Sequence, residues 1–310
     1  MAHGSNEDHH ADAASLFRRR FVLLLFVWGI QVQAEQKPDF VFTQSVGAML
    51  NPLGFLADSR ILYRKPLARD TSVLFRTSRF EAGIINEWSP ADEMFGIGCN
   101  IEPIAVFNMW VKAGVYENYR LFGFGYRRID GKNGPYHDSI AAVIPQENRS
   151  GMRITLAPSL KLKIGPVVFA DNPTCNRIDI FSEEGYFYDI RTALPHAVHD
   201  FNFVNDVVLL YEWNGFLMTG LNHNLLYVAG TEVRQQKLGV VAILTPPTRR
   251  IRDLFLLVTG GGYIESDFRR HTSYVALLSG FEVPIRKTHE KSSGETPSGP
   301  AAALHEGIVR

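Results

Sequence analysis

Two histidine groupings are where this sequence could do chemistry. Asn222-His223-Asn224 sets a base on a stretch that reads as a strand. A serine–histidine site needs a hydroxyl within hydrogen-bond reach of the ring. The residues that follow are Asn224 and Leu225, so no nucleophile stands beside the base, and His223 reads as an ordinary strand histidine. His196-Ala197-Val198-His199-Asp200 places two imidazoles three apart next to an acid. On a helix that spacing presents a metal pair; here it follows Pro195 in a loop with no third ligand nearby, and solvated loop histidines are the simpler reading. Gly260-Gly261-Gly262 and Phe122-Gly123-Phe124-Gly125 lie inside strand-like stretches. They lack the Lys-Ser/Thr of a phosphate loop, and strand glycine serves curvature. No catalytic, cofactor-binding or metal-binding residue is predicted.

The elements that must carry any site are strands. In Gly151–Ala170, Met152, Ile154, Leu156, Pro158, Leu160, Leu162, Ile164, Pro166 and Val168 form one row. Arg153, Thr155, Ala157, Ser159, Lys161, Lys163 and Gly165 form the other. Side chains alternate faces along a strand, so this segment has an oily face and a polar, basic face. Pro158 sits where a fully paired central strand should not have it, which predicts a bulge or a shorter strand there.

The solvent for that oily face is suggested upstream. Arg18-Arg19-Arg20, the apolar run Phe21–Val32 and the small-residue pattern Val32-Gln33-Ala34 make an export signal. Residues 1–34 are read as that signal behind an over-long amino-terminal region. The apolar run is too short for a spanning helix, and no later run reaches that length. Formal net charge is zero, which gives no argument for nucleic acid. The aromatic share, with 21 Phe, 11 Tyr and 4 Trp, suits strands and membrane interfaces. Cys99 and Cys175 stand in different segments, and their pairing stays open.

About a dozen such strands run in tandem. Residues 35–57 read as a lead-in, 58–285 as the strand region and 286–310 as a disordered tail. A hairpin is expected around Ala68-Arg69-Asp70, with its second strand from Thr71 to Ile85. A turn is expected at Glu102-Pro103, a strand over Tyr119–Ile129, a loop over Asp130–Ser150 and another over Ala193–Asn205. Asn214-Gly215 is the strongest two-residue hairpin signal. In Asp206–Trp213, Val207, Leu209, Tyr211 and Trp213 share one face, with Asp206 and Glu212 on the other.

With signal, tandem amphipathic strands and alternating short and long connections, the chain resembles the single-chain outer-membrane β-barrels of diderm bacteria over Asp58–Val283. The resemblance implies an all-β, antiparallel transmembrane barrel of about 12 strands in the cell outer membrane. It implies lipid and the outer-membrane assembly machinery as partners. Such barrels usually end on an aromatic residue; here the candidate is Phe281, and the chain continues to Arg310. Tyr211, Trp213, Phe122, Phe124 and Tyr126 are the interfacial girdle expected of the family.

In a barrel, Lys112, Arg153, Lys161, Lys163, Asp206 and Glu212 line the lumen. Either they form a salt-bridge lattice that plugs it, the favoured reading, or they form a pore with a basic stripe that favours anions and passes small solutes. A structural protein or passive channel without catalysis or cofactor is the resulting expectation. A soluble exported β-sandwich or lipocalin-like binding module fits the same alternation, with the oily rows as its core. An outer-membrane lipid-modifying enzyme is a third reading, weakened by the missing serine beside His223.

Overall fold

A computed structural model describes residues 39–68, 72–119, 126–132, 146–182, 184–189, 191–248, 251–267 and 269–285. Twelve strands close into one antiparallel barrel: β1 (Asp39–Leu50), β2 (Gly54–Pro66), β3 (Arg79–Trp88), β4 (Asp92–Ile104), β5 (Phe107–Asn118), β7 (Arg149–Ile164), β8 (Val167–Ile180), β11 (His199–Asn214), β12 (Leu217–Val228), β13 (Val233–Leu244), β14 (Arg252–Ser266) and β15 (Ser273–Pro284). Three short strands, β6 (Arg128–Ile129), β9 (Tyr186–Asp189) and β10 (Leu194–Ala197), form a separate sheet in the order β10–β9–β6. Among the described residues no helix is long and apolar enough to cross a membrane.

The alternation decides the two faces. On β7, Met152, Ile154, Leu156, Leu160 and Leu162 all point outward and are exposed. Between them Gly151, Thr155, Ala157 and Ser159 are buried inside. The same split holds on β4, where Phe95 and Ile97 face out and Met94 and Asn100 face in. A soluble sandwich or lipocalin-like barrel would bury its oily rows. Here they cover the outside and the polar rows fill the inside, which is the arrangement for lipid. Aromatic pairs mark both rims of that outer surface. Tyr211 meets Trp213 at 4.9 Å and Phe42 meets Phe281 at 6.4 Å near the end bearing the 165–166 and 215–216 turns; Phe55 meets Trp88 at 5.9 Å near the other end. The first is here called the lower end and the second the upper end.

Several expected boundaries move. The stretch read as a lead-in is β1 and the start of β2. β1 pairs with β15 from Val41↔Pro284 to Leu50↔Val275 and closes the barrel. Its contrast is weak in sequence because Val41 and Met49 put apolar residues on the inner row, while Gln44 lies on the outer one. Residues 72–77 form turns, so β3 starts only at Arg79. The β4–β5 turn falls at 105–106, past Glu102-Pro103. The segment 193–205 is mostly strand: β10 and the first half of β11. Of Tyr119–Ile129, residues 120–125 lie outside the described residues, and Arg128–Ile129 pairs with β9 away from the barrel wall. Most of the expected 130–150 loop, the signal and the tail also lie outside them.

The hairpin expected at Asn214-Gly215 is present, with its turn at Gly215-Phe216; another turn falls at Gly165-Pro166 inside the Gly151–Ala170 stretch, and Gly165 takes φ +59°, which suits glycine. Gly261 shows why the triple glycine is there: a Cβ would lie 2.1 Å from the Leu238 carbonyl oxygen. Cys99 and Cys175 are both free.

Pro158 produces neither a bulge nor a strand end. β7 and β8 keep one register on both sides, with Leu156↔Cys175 above and Leu160↔Asp171 below, and no paired positions between. In that register Pro158 stands opposite Pro173. Hydrogen-bonded rungs of an antiparallel ladder recur every second residue, so 158/173 is a rung from which both N–H donors are missing. Toward the outer neighbours each proline occupies a non-hydrogen-bonded position, Met109↔Pro158 and Asn205↔Pro173, and nothing is lost there. Replacing both prolines by valine restores the rung. The double variant should raise the temperature at which the heat-modifiable folded band is lost on gel electrophoresis, by the worth of two hydrogen bonds at about 0.5–1.5 kcal/mol each. An unchanged or lowered temperature would contradict the missing-rung account.

Candidate functional site

The inner rows meet in the lumen, which is filled at both ends. At the lower end, the β2–β3–β4–β15 side carries a charge lattice. Arg64 grips Glu282 with two nitrogens at 2.7 and 2.5 Å, and its Nε donates to Glu81 at 2.5 Å. Arg79 Nε lies 3.3 Å from both Glu81 and Glu102, and Asn100 donates to Glu81 at 2.9 Å. Forked guanidinium–carboxylate contacts are the strong, directional kind. Across the lumen at the same end, Val208, Leu210, Met218, Ile243, Phe255 and Leu257 pack into an apolar cluster.

The small sheet sits in the upper end against β5, β8, β12 and β13. Leu194 of β10 packs on Leu226, Val228 and Val233 of the wall. Phe187 of β9 lies in one cluster with Tyr116, Ile178 and Ile180. Polar ties pin the sheet. Arg191, just after β9, donates to Asp92 at 2.6 Å and to Glu87 at 2.7 Å. Tyr116 donates its hydroxyl to Asp189 at 3.1 Å, and Arg269 donates to the Ala193 carbonyl at 3.1 Å.

Between the two closures lies a chamber of about 570 Å³. Its polar wall includes Glu87, Lys112, Arg153, Asp206, Asn222 and Lys237, and its floor includes Val208, Val241 and Leu257 from the lower cluster. It reaches up to the β1–β2 turn and the β3–β4 turn. Glu87 is its busiest carboxylate: Lys112 donates to it at 2.9 Å, and Arg153 Nη1 stands 3.7 Å away.

The predicted lumen residues divide accordingly. Lys112, Arg153 and Asp206 line the chamber. Lys161 lies on the inner row lower down. Lys163 and Glu212 pair with each other at the lower rim, where Lys163 is 44 % exposed. The basic stripe is therefore matched by acids. Glu87, Asp92 and Lys237 were not singled out, although parity on their strands would have placed each inside. Arg191 lies in a turn and has no such signal.

Of the girdle set, Tyr211 and Trp213 face outward, and the indole Nε1 donates to Thr219 at 2.7 Å. Tyr126 does not join them. It is 1 % exposed and stacks on Phe187 at 5.2 Å, in the buried cluster that also holds Tyr116, Ile178 and Ile180. Phe122 and Phe124 lie outside the described residues.

The histidines part company. His223 faces outward, with Nε2 3.0 Å from Gln236 Oε1. His199 is exposed beside Asp179, whereas His196 is fully buried. Sitting on different strands, the pair presents no common face to a metal, and the described residues hold no cluster of three or more metal-ligating side chains.

No family model matches the chain, and no curated protein matches it. In fold it is similar to solved barrels. The porin NanC aligns with 78 % of this chain and 98 % of its own, at 10 % identity and TM-score 0.36. The KdgM porin aligns with 79 % and 99 %, at 8 % and 0.34. A loop-deletion form of OmpT, an outer membrane protein of Vibrio cholerae, aligns with 80 % and 99 %, at 6 % and 0.36. Similarity at this level assigns neither solute nor activity.

His196 makes the upper closure sensitive to acid. Burial pushes its imidazole below the ordinary value near 6.5, against the pull of Asp189 and Asp200 and with the repulsion of Arg153. A group whose folded pKa is depressed contributes stability that is full above its unfolded value and lost as pH falls through the folded one. As pH falls from 7.5 to 5, the protection factors of the backbone amides over 186–189 and 191–197, each rate taken relative to its intrinsic rate at that pH, should drop, and His196→Asn should flatten that dependence. Equal protection factors at both pH values would refute the role given to His196.

Proposed function

We propose that this chain is an outer-membrane β-barrel with a closed lumen, a structural or solute-holding protein, with no constitutive open pore. The single observation that carries this is the double closure: the Arg64–Glu81–Glu282 lattice with the facing apolar cluster below, and the β6–β9–β10 sheet above. Twelve-stranded barrels fall between side-chain-filled and open sizes, so the filling decides. In this reading the lower end, with its short turns, faces the periplasm and the longer connections face outward. The partners are outer-membrane lipid and the assembly machinery that inserts barrels.

A non-enzymatic role is supported by His223, whose ring partner is an amide rather than a hydroxyl. The alternative of a passive small-solute channel draws on the chamber, which is already large enough for a small molecule. Planar bilayers decide between them. The unmodified barrel should give no steady single-channel current, and combining Arg64→Ala and Glu282→Ala below with Arg191→Ala above should give one by loosening both closures. Steady current from the unmodified protein would overturn the closed-lumen reading.

A further inference from the structure

We propose that the chamber is a binding site for a small monocarboxylate with an apolar body, held by Lys237. The inference rests on the closed-lumen reading only in treating the chamber as walled off below.

Lys237 lies on the inner row of β13, beside Asn224 of β12 and Tyr263 of β14. Its ammonium stands over two aromatic rings, 5.4 Å from the centroid of Tyr263 and 5.5 Å from that of Tyr274. Both phenols are committed elsewhere: Tyr263 donates to the Asn51 carbonyl at 2.9 Å and Tyr274 to Asn222 Oδ1 at 3.0 Å. The rings are therefore fixed, and they hold the ammonium by their π faces without accepting its N–H bonds. The neighbouring acid, Asp206, attracts the ammonium from beyond ion-pair distance and accepts from Asn224 at 2.7 Å.

Among the described residues Lys237 has no carboxylate within ion-pair distance. This sets it apart from Lys112, which binds Glu87, and from Arg153, which is hydrogen-bonded to Asn176 and near Glu87. An ammonium has three donors and no acceptor, and a buried charge whose donors meet no carboxylate directly is costly. A group that faces a cavity in this state is matched by an anion brought in from outside.

The rest of the ligand follows from the next positions on the same row. At Gly239 the missing side chain makes room for the Tyr274 hydroxyl, which a Cβ would meet at 2.5 Å, and Val241, next on the row, lines the chamber. Leu257 and Leu278 flank Val241 from β14 and β15 and complete an apolar floor. One cation above an apolar floor selects one negative charge on an oily body. The amide of Asn222, on the neighbouring strand, offers further polar contact to the head. A polyanion would find too few free cations, and a neutral sugar would leave Lys237 unmatched.

The test is calorimetric titration of the folded protein in detergent with 3-phenylpropionate, using its neutral amide, 3-phenylpropanamide, as the paired probe. The acid should bind about tenfold or more tightly than the amide, the scale of one charge-assisted contact. Lys237→Met should abolish that preference, and Lys237→Arg should keep it. Equal binding of acid and amide, no binding of the acid, or an unchanged preference in Lys237→Met would each overturn the proposal. If Lys237→Met loses its heat-modifiable folded band, the comparison of acid with amide on the unmodified protein decides alone. A barrel that conducts steadily yet binds the acid through Lys237 would refute the closed lumen and uphold this site.

Discussion

Closure of the sheet is the constraint on which everything else rests. Once β1 pairs with β15, no barrel strand has a free edge, and every barrel strand must give one side-chain row to the inside and one to the outside. The outer rows meet lipid and must be apolar. The inner rows face a space too narrow for bulk solvent and too wide to fill with aliphatic side chains alone. Polar and charged residues therefore have to satisfy one another across it. The Arg64 lattice, the Glu87 hub and the small sheet are three solutions to that one demand.

The interior divides by height as well as by side. Below, charges on one wall face an apolar cluster on the other, so the lower closure mixes directional contacts with close packing. Above, the plug is made from the chain's own long connections, and Arg191 and Arg269 tie it to the wall. The chamber is what remains between them. Its polar wall comes from strands on both sides of the lumen, and its floor is the top of the lower cluster.

Much of this was legible in the sequence. The period of two located most barrel strands from β2 onward, though not β8, which runs through the turn-like Asp171-Asn172-Pro173, nor the first half of β11, and their parity put Lys112, Arg153 and Asp206 inside. Parity also placed Tyr211 and Trp213 outside. What escaped was of two kinds. β1 has apolar residues on both rows, so alternation did not announce it, and only pairing with a strand more than two hundred residues away defines it. Of the plug sheet, Tyr186–Arg191 reads as a weak strand and overlaps β9, but β6 and β10 are two and four residues long, below the length at which periodicity carries information. The positions of Tyr126, Arg191 and His196 depend on that sheet, so none of them had a local signature.

The facing prolines of β7 and β8 bear on how the wall is put together. A hairpin grows from its turn, each rung ordering the next. From Gly165-Pro166 the ladder can grow through Ile164↔Val167 as far as Leu160↔Asp171, and there it meets a rung that cannot form. The upper half, from Leu156↔Cys175 to Gly151↔Ile180, resumes the same register beyond the gap. Across the gap itself β5 on one side and β11 on the other pair straight through. The two halves of this hairpin are therefore joined through its neighbours as well as through its own chain.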